Sequence, residues 1–121
     1  MNVTPQPGEL KVRTERVGAN VRVDVDGELD IATLPELRDA VAAARDEAVE
    51  HLVIDLHAVT FLDSMSIEFL LRLHTSMAET DAELVVVRGS HAVNRLFEIM
   101  ELHRVLTIVD EPPAYVTPSG A

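Results

Sequence analysis

An α/β fold built on one open, mostly parallel sheet is what the pattern of this 121-residue chain predicts. Three observations carry the prediction. Leu52-Val53-Ile54-Asp55-Leu56 and the stretch from Glu83 to Arg88 are apolar at successive positions, as strands covered on both faces are. Val21, Val23 and Val25 instead alternate with Arg22, Asp24 and Asp26, the mark of a strand with one wet face. Between these runs the apolar residues recur at helical spacing.

Leu10 and Val12 alternate with Lys11 and Arg13, and Gly18-Ala19-Asn20 joins this run to the valine strand as a hairpin. Gly27-Glu28-Leu29-Asp30 closes the second strand. Thr33-Leu34-Pro35-Glu36 has the pattern of a capping box with proline in the first turn, and Leu34, Leu37, Val41, Ala44 and Ala48 then share one helical face. A third strand is expected over His51 to Leu56. The helix after Asp63 places Ile67, Leu70, Leu71, His74, Met77 and Ala78 on a stripe directed at the core. A fourth strand follows at Glu83 to Arg88. Gly89-Ser90 starts a helix with Ser90 as its cap and Val93, Leu96, Phe97 and Met100 facing inward, and Val105 to Val109 forms a fifth strand. The order is ββαβαβαβ. Right-handed crossovers cover the sheet with helices and gather the strand-to-helix loops at one edge, which then holds Asp30 and Thr33, Asp63 and Ser64, and Gly89 and Ser90.

The length fits one domain, with residues 1–8 and 111–121 read as flexible proline- and glycine-containing tails around a domain at 9–110. A domain of this size buries roughly two-thirds of the surface its unfolded chain exposes. Without cysteine there are no disulfides, thiolate metal sites or cysteine nucleophiles. The start has neither a basic nor an apolar leader segment, and no apolar run approaches a bilayer span, so a soluble cytoplasmic protein without membrane insertion is expected. The net charge of -11 repels a phosphate backbone and argues against direct nucleic-acid binding.

Catalytic patterns are weak at the loop edge. Ser64 is flanked by Leu62 and Ser66, not by the glycines of a nucleophile elbow, so a small hydrolase is expected to fail an esterase assay. Asp55 and His57 lack further ligands at metal spacing, and Gly89-Ser90 lacks the lysine and glycine spacing of a nucleotide loop. His74 reads as a packed histidine, and His51, His91 and His103 as surface residues. No cofactor is expected. On spacing alone, Ser64 is a candidate helix cap, because serine and aspartate favour that position.

Gly27-Glu28-Leu29-Asp30, Pro35-Glu36-Leu37-Arg38, Val53-Ile54-Asp55-Leu56 and Phe61-Leu62-Asp63-Ser64 together resemble the STAS domains of bacterial anti-sigma factor antagonists, over roughly Leu10 to Val109. The resemblance implies a STAS-like fold and regulation by partner switching. The unmodified domain binds an anti-sigma factor serine kinase, phosphorylation by that kinase breaks the complex, and a serine phosphatase would reset it. On this resemblance Ser64 is the phosphorylated residue, with Asp30, Thr33, Asp63, Met65 and Ser66 in the docking region. The family reads serine or threonine and then glycine after Asp-Ser, where this chain has Met65 and Ser66. That departure keeps a second possibility open, a STAS adaptor in a lipid-transport or sensory assembly that binds without phosphorylation. Ser66 could be a second acceptor or a residue of the cap region.

Physical chemistry supports the first implication independently. A phosphoserine brings about -1.5 to -2 charges, which a helix start accommodates and an acidic neighbour across an interface does not. Phe69 and Leu73 lie off the core stripe of the same helix. They either pack on a neighbouring helix or, with Glu68 and Arg72 at the rim, form the apolar centre of a partner surface.

Overall fold

The computed structural model describes residues 5–117, so the tail positions 1–4 and 118–121 lie outside the described residues. A hairpin of β1 (Leu10–Val17) and β2 (Asn20–Leu29) leads into α1 (Leu34–Ala44), β3 (His51–Leu62), α2 (Ser64–Ala78), β4 (Glu83–Val87), α3 (His91–Ile99) and β5 (Thr107–Val109), with short 3₁₀ turns at Leu102–Arg104 and Ala114–Val116. The five strands lie side by side in chain order. β1 and β2 are antiparallel, and every later pair is parallel.

Strand order explains the layering. Each crossover from β2 onward steps in the same direction across the sheet, so a constant right-handed connection puts α1, α2 and α3 on the same face. The core lies there: Leu34, Leu37 and Val41 of α1, Ile67, Leu70 and Met77 of α2, and Val93 and Phe97 of α3 pack on Val21, Val23, Leu52, Ile54, Leu56, Leu84 and Val86.

The opposite face carries no α-helix among the described residues, yet β3 and β4 are apolar on that side too. Val53, Val85 and Val87 are covered by Val116, which is fully buried, with Tyr115 beside it. The Tyr115 ring lies 4.5 Å from that of His51, whose Nδ1 is 2.8 Å from Asn20 Oδ1. The chain after Val109 is therefore part of the fold at Ala114–Val116 and not a flexible tail, and His51 is half-buried beneath it. The rest of this face is polar. Lys11, Arg13 and Glu15 of β1 oppose Asp26, Asp24 and Arg22 of β2, so unlike charges meet across the hairpin. Arg22 bridges Asp24 at 2.6 Å and the nearly buried Asp55 at 3.3 Å. Burial alone would lower the Arg22 guanidinium pKa, and Asp24 and then Asp55 more than offset it.

Several elements differ from the sequence expectation for identifiable reasons. β3 continues past Leu56 to Leu62 through two register shifts against β2, between Asp24 and Asp26 and between Gly27 and Glu28. Each shift places an extra β3 residue opposite β2 and breaks the inside–outside alternation, which is why His57, Thr60 and Phe61 are exposed and the sequence looks loop-like. Gly27 makes the second shift possible: its φ is +117°, and a Cβ there would collide with the Glu9 carbonyl. α1 ends at Ala44, leaving Ala48 exposed beyond it, and Met100 is exposed past the end of α3. β5 begins at Thr107 because the chain before it turns through Leu102–Arg104.

A fully buried valine contributes about 1.5–3 kcal/mol. Val116→Asp should lower the unfolding free energy by at least that amount and expose Val53, Val85 and Val87 to a hydrophobic dye, whereas an unchanged denaturation midpoint would show that the segment adds nothing. Burial, then Glu83, also raises the Tyr115 pKa above the ordinary tyrosine range. A group held protonated in the folded state stabilises it fully below its unfolded pKa and loses that contribution as pH rises through the folded value. Ultraviolet titration of the single tyrosine should thus lag a free tyrosine and coincide with release of this segment.

Candidate functional site

The site is built where β2 and β3 end together. Leu29 and Leu62 are register partners, so the next residues, Asp30 and Asp63, leave the sheet side by side. Asp63 caps α2: its Oδ1 accepts from the Ser66 amide at 2.9 Å, in an extended backbone conformation suited to an N-cap. Its Oδ2 accepts from the Ile31 amide at 3.0 Å. Its own amide donates to the Leu29 carbonyl at 3.2 Å. One aspartate therefore holds the loop after β2 against the start of α2.

Asp30 organises the other side of that loop, its Oδ1 accepting from the Ala32 amide at 2.9 Å and the Thr33 amide at 3.0 Å. The expected capping box at Thr33 does not form. The Thr33 hydroxyl turns back to β2, donating to the Glu28 carbonyl at 2.8 Å and accepting from the Asp30 amide at 3.0 Å. Pro35 still sits in the first turn of α1.

Ser64 is the first helical residue of α2, not its cap, and its side chain is exposed. Asp63 performs the capping that spacing offered to Ser64, which leaves the Ser64 hydroxyl unused. Met65, Glu68 and Arg72 are exposed beside it, Asp30 and Asp63 are half-buried, and Glu68 pairs with Arg72 at 2.6 Å.

Three residues expected on the docking surface are buried. Thr33 is 6% exposed, Ser66 is fully buried and Leu73 is 5% exposed. Ser66 is therefore not a second acceptor, because its hydroxyl faces the Leu29 carbonyl and Asp63. Leu73 belongs to the core because the buried face of α2 runs through Ser66, Ile67, Leu70, Leu73 and Met77, rotated from the expected stripe. Leu71 and His74 are accordingly only half-buried, and Ala78 is exposed. Phe69 is half-buried at the core margin with the Arg38 guanidinium 5.8 Å from its ring centroid. Arg38, Met65, Glu68, Phe69 and Arg72 line a cleft of about 370 Å³ between α1 and α2.

Two exposed apolar residues at this edge were not singled out by sequence reasoning. Ile31 is 68% exposed on the loop that Asp63 anchors, and Phe61, 48% exposed, and Met65, 43% exposed, flank the Asp63–Ser64 pair along the chain. Ile31 gave a signal, a lone large apolar residue in a polar loop. Phe61 was hidden by the β3 register shifts.

This sheet, with its helices on one face and an exposed serine opening the helix after the central strand, defines a STAS domain. The chain belongs to the STAS domain family, whose sequence model matches residues 11–113. It is 27% identical over 99 residues to the anti-sigma-B factor antagonist of Staphylococcus aureus, an alignment covering 82% of this chain and 92% of that protein. It is 28% identical over 86 residues to the one from Staphylococcus epidermidis, covering 71% of this chain and 80% of that protein. The crystal structure of an anti-sigma factor antagonist from Mycobacterium paratuberculosis superposes with a TM-score of 0.79 at 26% identity, covering 90% of this chain and 92% of that one. The anti-sigma factor antagonist SpoIIAA in its unphosphorylated form shares the fold, with a TM-score of 0.69 at 19% identity over 84% of this chain and 90% of that one. No helix among the described residues is long and apolar enough to cross a membrane.

Burial separates the two roles that α2 was expected to combine. Leu73→Ala should destabilise the domain by about 2–5 kcal/mol in chemical denaturation, as truncation of a buried leucine does. Ile31→Ser should leave the unfolding free energy within about 0.5 kcal/mol of the parent, as surface changes do. A destabilised Ile31→Ser would place that side chain in the packing instead.

Proposed function

We propose that this chain is an anti-sigma factor antagonist that acts by partner switching. Its unmodified form binds an anti-sigma factor serine kinase through the edge carrying Asp30, Ile31, Asp63, Ser64 and Met65. The kinase phosphorylates Ser64, and the phosphorylated form leaves the complex until a serine phosphatase restores it. The chain is a binding module and kinase substrate of the cytoplasm and turns over no substrate of its own.

One observation carries this reading: the Ser64 hydroxyl is exposed at the first residue of α2 while Asp63 does the capping, so modification takes nothing from the fold. A phosphate there lies at the positive end of a helix whose first amides lack intrahelical acceptors, which stabilises it within its own domain. Outward, the same charge adds to Asp30, Asp63 and Glu68 on an edge already acidic, and an interface matched to the uncharged hydroxyl is opposed. Ile31, Phe61 and Met65 supply apolar contact area for the unmodified complex.

Met65 favours a second reading. It is exposed beside Ser64 where the family carries serine or threonine, and an adaptor that binds without being phosphorylated needs no small residue there.

Incubation with the serine kinase encoded in the same genome and ATP, followed by mass spectrometry, separates the two. Phosphate on Ser64 supports switching, and a tight complex without phosphate supports the adaptor. Ser64→Ala should keep the kinase affinity of the parent. Ser64→Asp should weaken it at least about tenfold, since like charges opposed across an interface cost several kcal/mol. Equal binding of both variants in a titration would remove charge at residue 64 as the control.

A further inference from the structure

Buried polar side chains are few in this domain, and their placement is informative. Among the described residues they are Thr33, Asp55 and Ser66. Asp55 sits on the helix-free face with Arg22. The other two are hydroxyls, and both bond to the ends of one short loop, the one between β2 and α1.

Ser66 Oγ lies 3.1 Å from the Leu29 carbonyl and 2.9 Å from Asp63 Oδ1, and both are acceptors for its single proton. Either bond ties the start of α2 to the last residue of β2 or to the aspartate that holds Ile31. The Thr33 hydroxyl grips the loop from its far side, between the Glu28 carbonyl and the Asp30 amide. Neither hydroxyl is needed to cap a helix: Asp63 caps α2, and Thr33 makes no cap bond to α1. A hydroxyl sealed in a core is unfavourable unless bonded, so what each contributes is the link it makes. At residue 66 glycine could not make that link.

We propose that Ser66 and Thr33 are positioning residues for docking: their buried hydroxyls hold the Asp30–Ile31 loop in a fixed place against the start of α2, so that a partner meets the surface on both sides of Ser64 already ordered. The proposal rests on the assignment of this edge as the docking edge. It assigns Ser66, which stands where the family pattern has glycine, a function that glycine lacks. An ordered loop spares the complex the entropy of fixing it, and the exposed Ile31 is the side chain thereby presented.

Residue-resolved amide exchange tests the proposal without any partner. In Ser66→Ala the Ile31 amide should exchange about fivefold to tenfold faster, and in Thr33→Val the Asp30 amide should do the same, as loss of one hydrogen bond allows. Amides in β3 and β4 should keep their parent rates, and Thr33→Ser, which retains the hydroxyl, should restore the Asp30 rate. Should Ser66→Ala fold poorly, Thr33→Val with its Thr33→Ser control decides the proposal from the far side of the loop, and Asp63→Asn, whose NH₂ group faces the Ile31 amide, gives the exchange rate of an unheld loop for comparison. Titration with the same serine kinase, at a temperature where every variant remains folded, should show Ser66→Ala and Thr33→Val binding more weakly than the parent. Parent exchange rates at Ile31 and Asp30, or a uniform rise along the whole chain, would overturn the proposal. If the kinase leaves Ser64 unmodified, partner switching fails while the exchange rates still decide the loop's order.

Discussion

The carboxylate of Asp63 is the constraint on which the edge of this domain depends. One oxygen completes the first turn of α2 and the other holds the Ile31 amide of the neighbouring loop. It can do both because parallel pairing of Leu29 with Leu62 delivers the two loops together. The effect is to relieve Ser64 of structural duty. A serine used as a cap would have its hydroxyl engaged with a backbone amide of the first turn, and modifying it would mean giving up that bond. With Asp63 as the cap, the next residue projects from the first turn free of the fold.

Topology has a second consequence, on the face away from the helices. A sheet whose crossovers all step in one direction gathers every helix on one side, so the apolar residues on the other side of β3 and β4 need a different cover. Ala114–Val116 supplies it at Val53, Val85 and Val87, and the charge-paired hairpin surface needs none. Residues beyond the last strand therefore complete the core.

Much of this was legible in the sequence. The order of strands and helices, the hairpin and the convergence of Asp30, Asp63 and Ser64 follow from periodicity and from the constant hand of crossovers. What escaped involved contacts between elements. The β3 shifts depend on how β2 lies against it, with Gly27 permitting one of them, and they disguised six residues of strand as loop. Leu73 was placed off the core stripe because a serine, Ser66, occupies the buried face beside it, and a count of apolar residues cannot anticipate a serine whose hydroxyl finds acceptors there in the Leu29 carbonyl and Asp63. Val116 sits among prolines that read as a tail, and only the uncovered valines of β3 and β4 hinted that something had to return.

These features bear on how a switch at residue 64 would act. A phosphate can change binding by remodelling the domain or by changing what an unaltered domain presents. Remodelling would require Asp63 to surrender its bonds or the loop to leave the buried hydroxyls of Thr33 and Ser66, opening polar groups now satisfied in the interior. Adding charge to an exposed side chain requires none of this, and the positive end of α2 favours it. The less demanding route is therefore local: Ile31, Phe61 and Met65 remain where they are, and electrostatics decides whether a partner can approach them. On the proposed reading, apolar contact area sets the strength of the complex and the charge at Ser64 sets its occupancy, and the rigidity of the edge keeps those two controls separate.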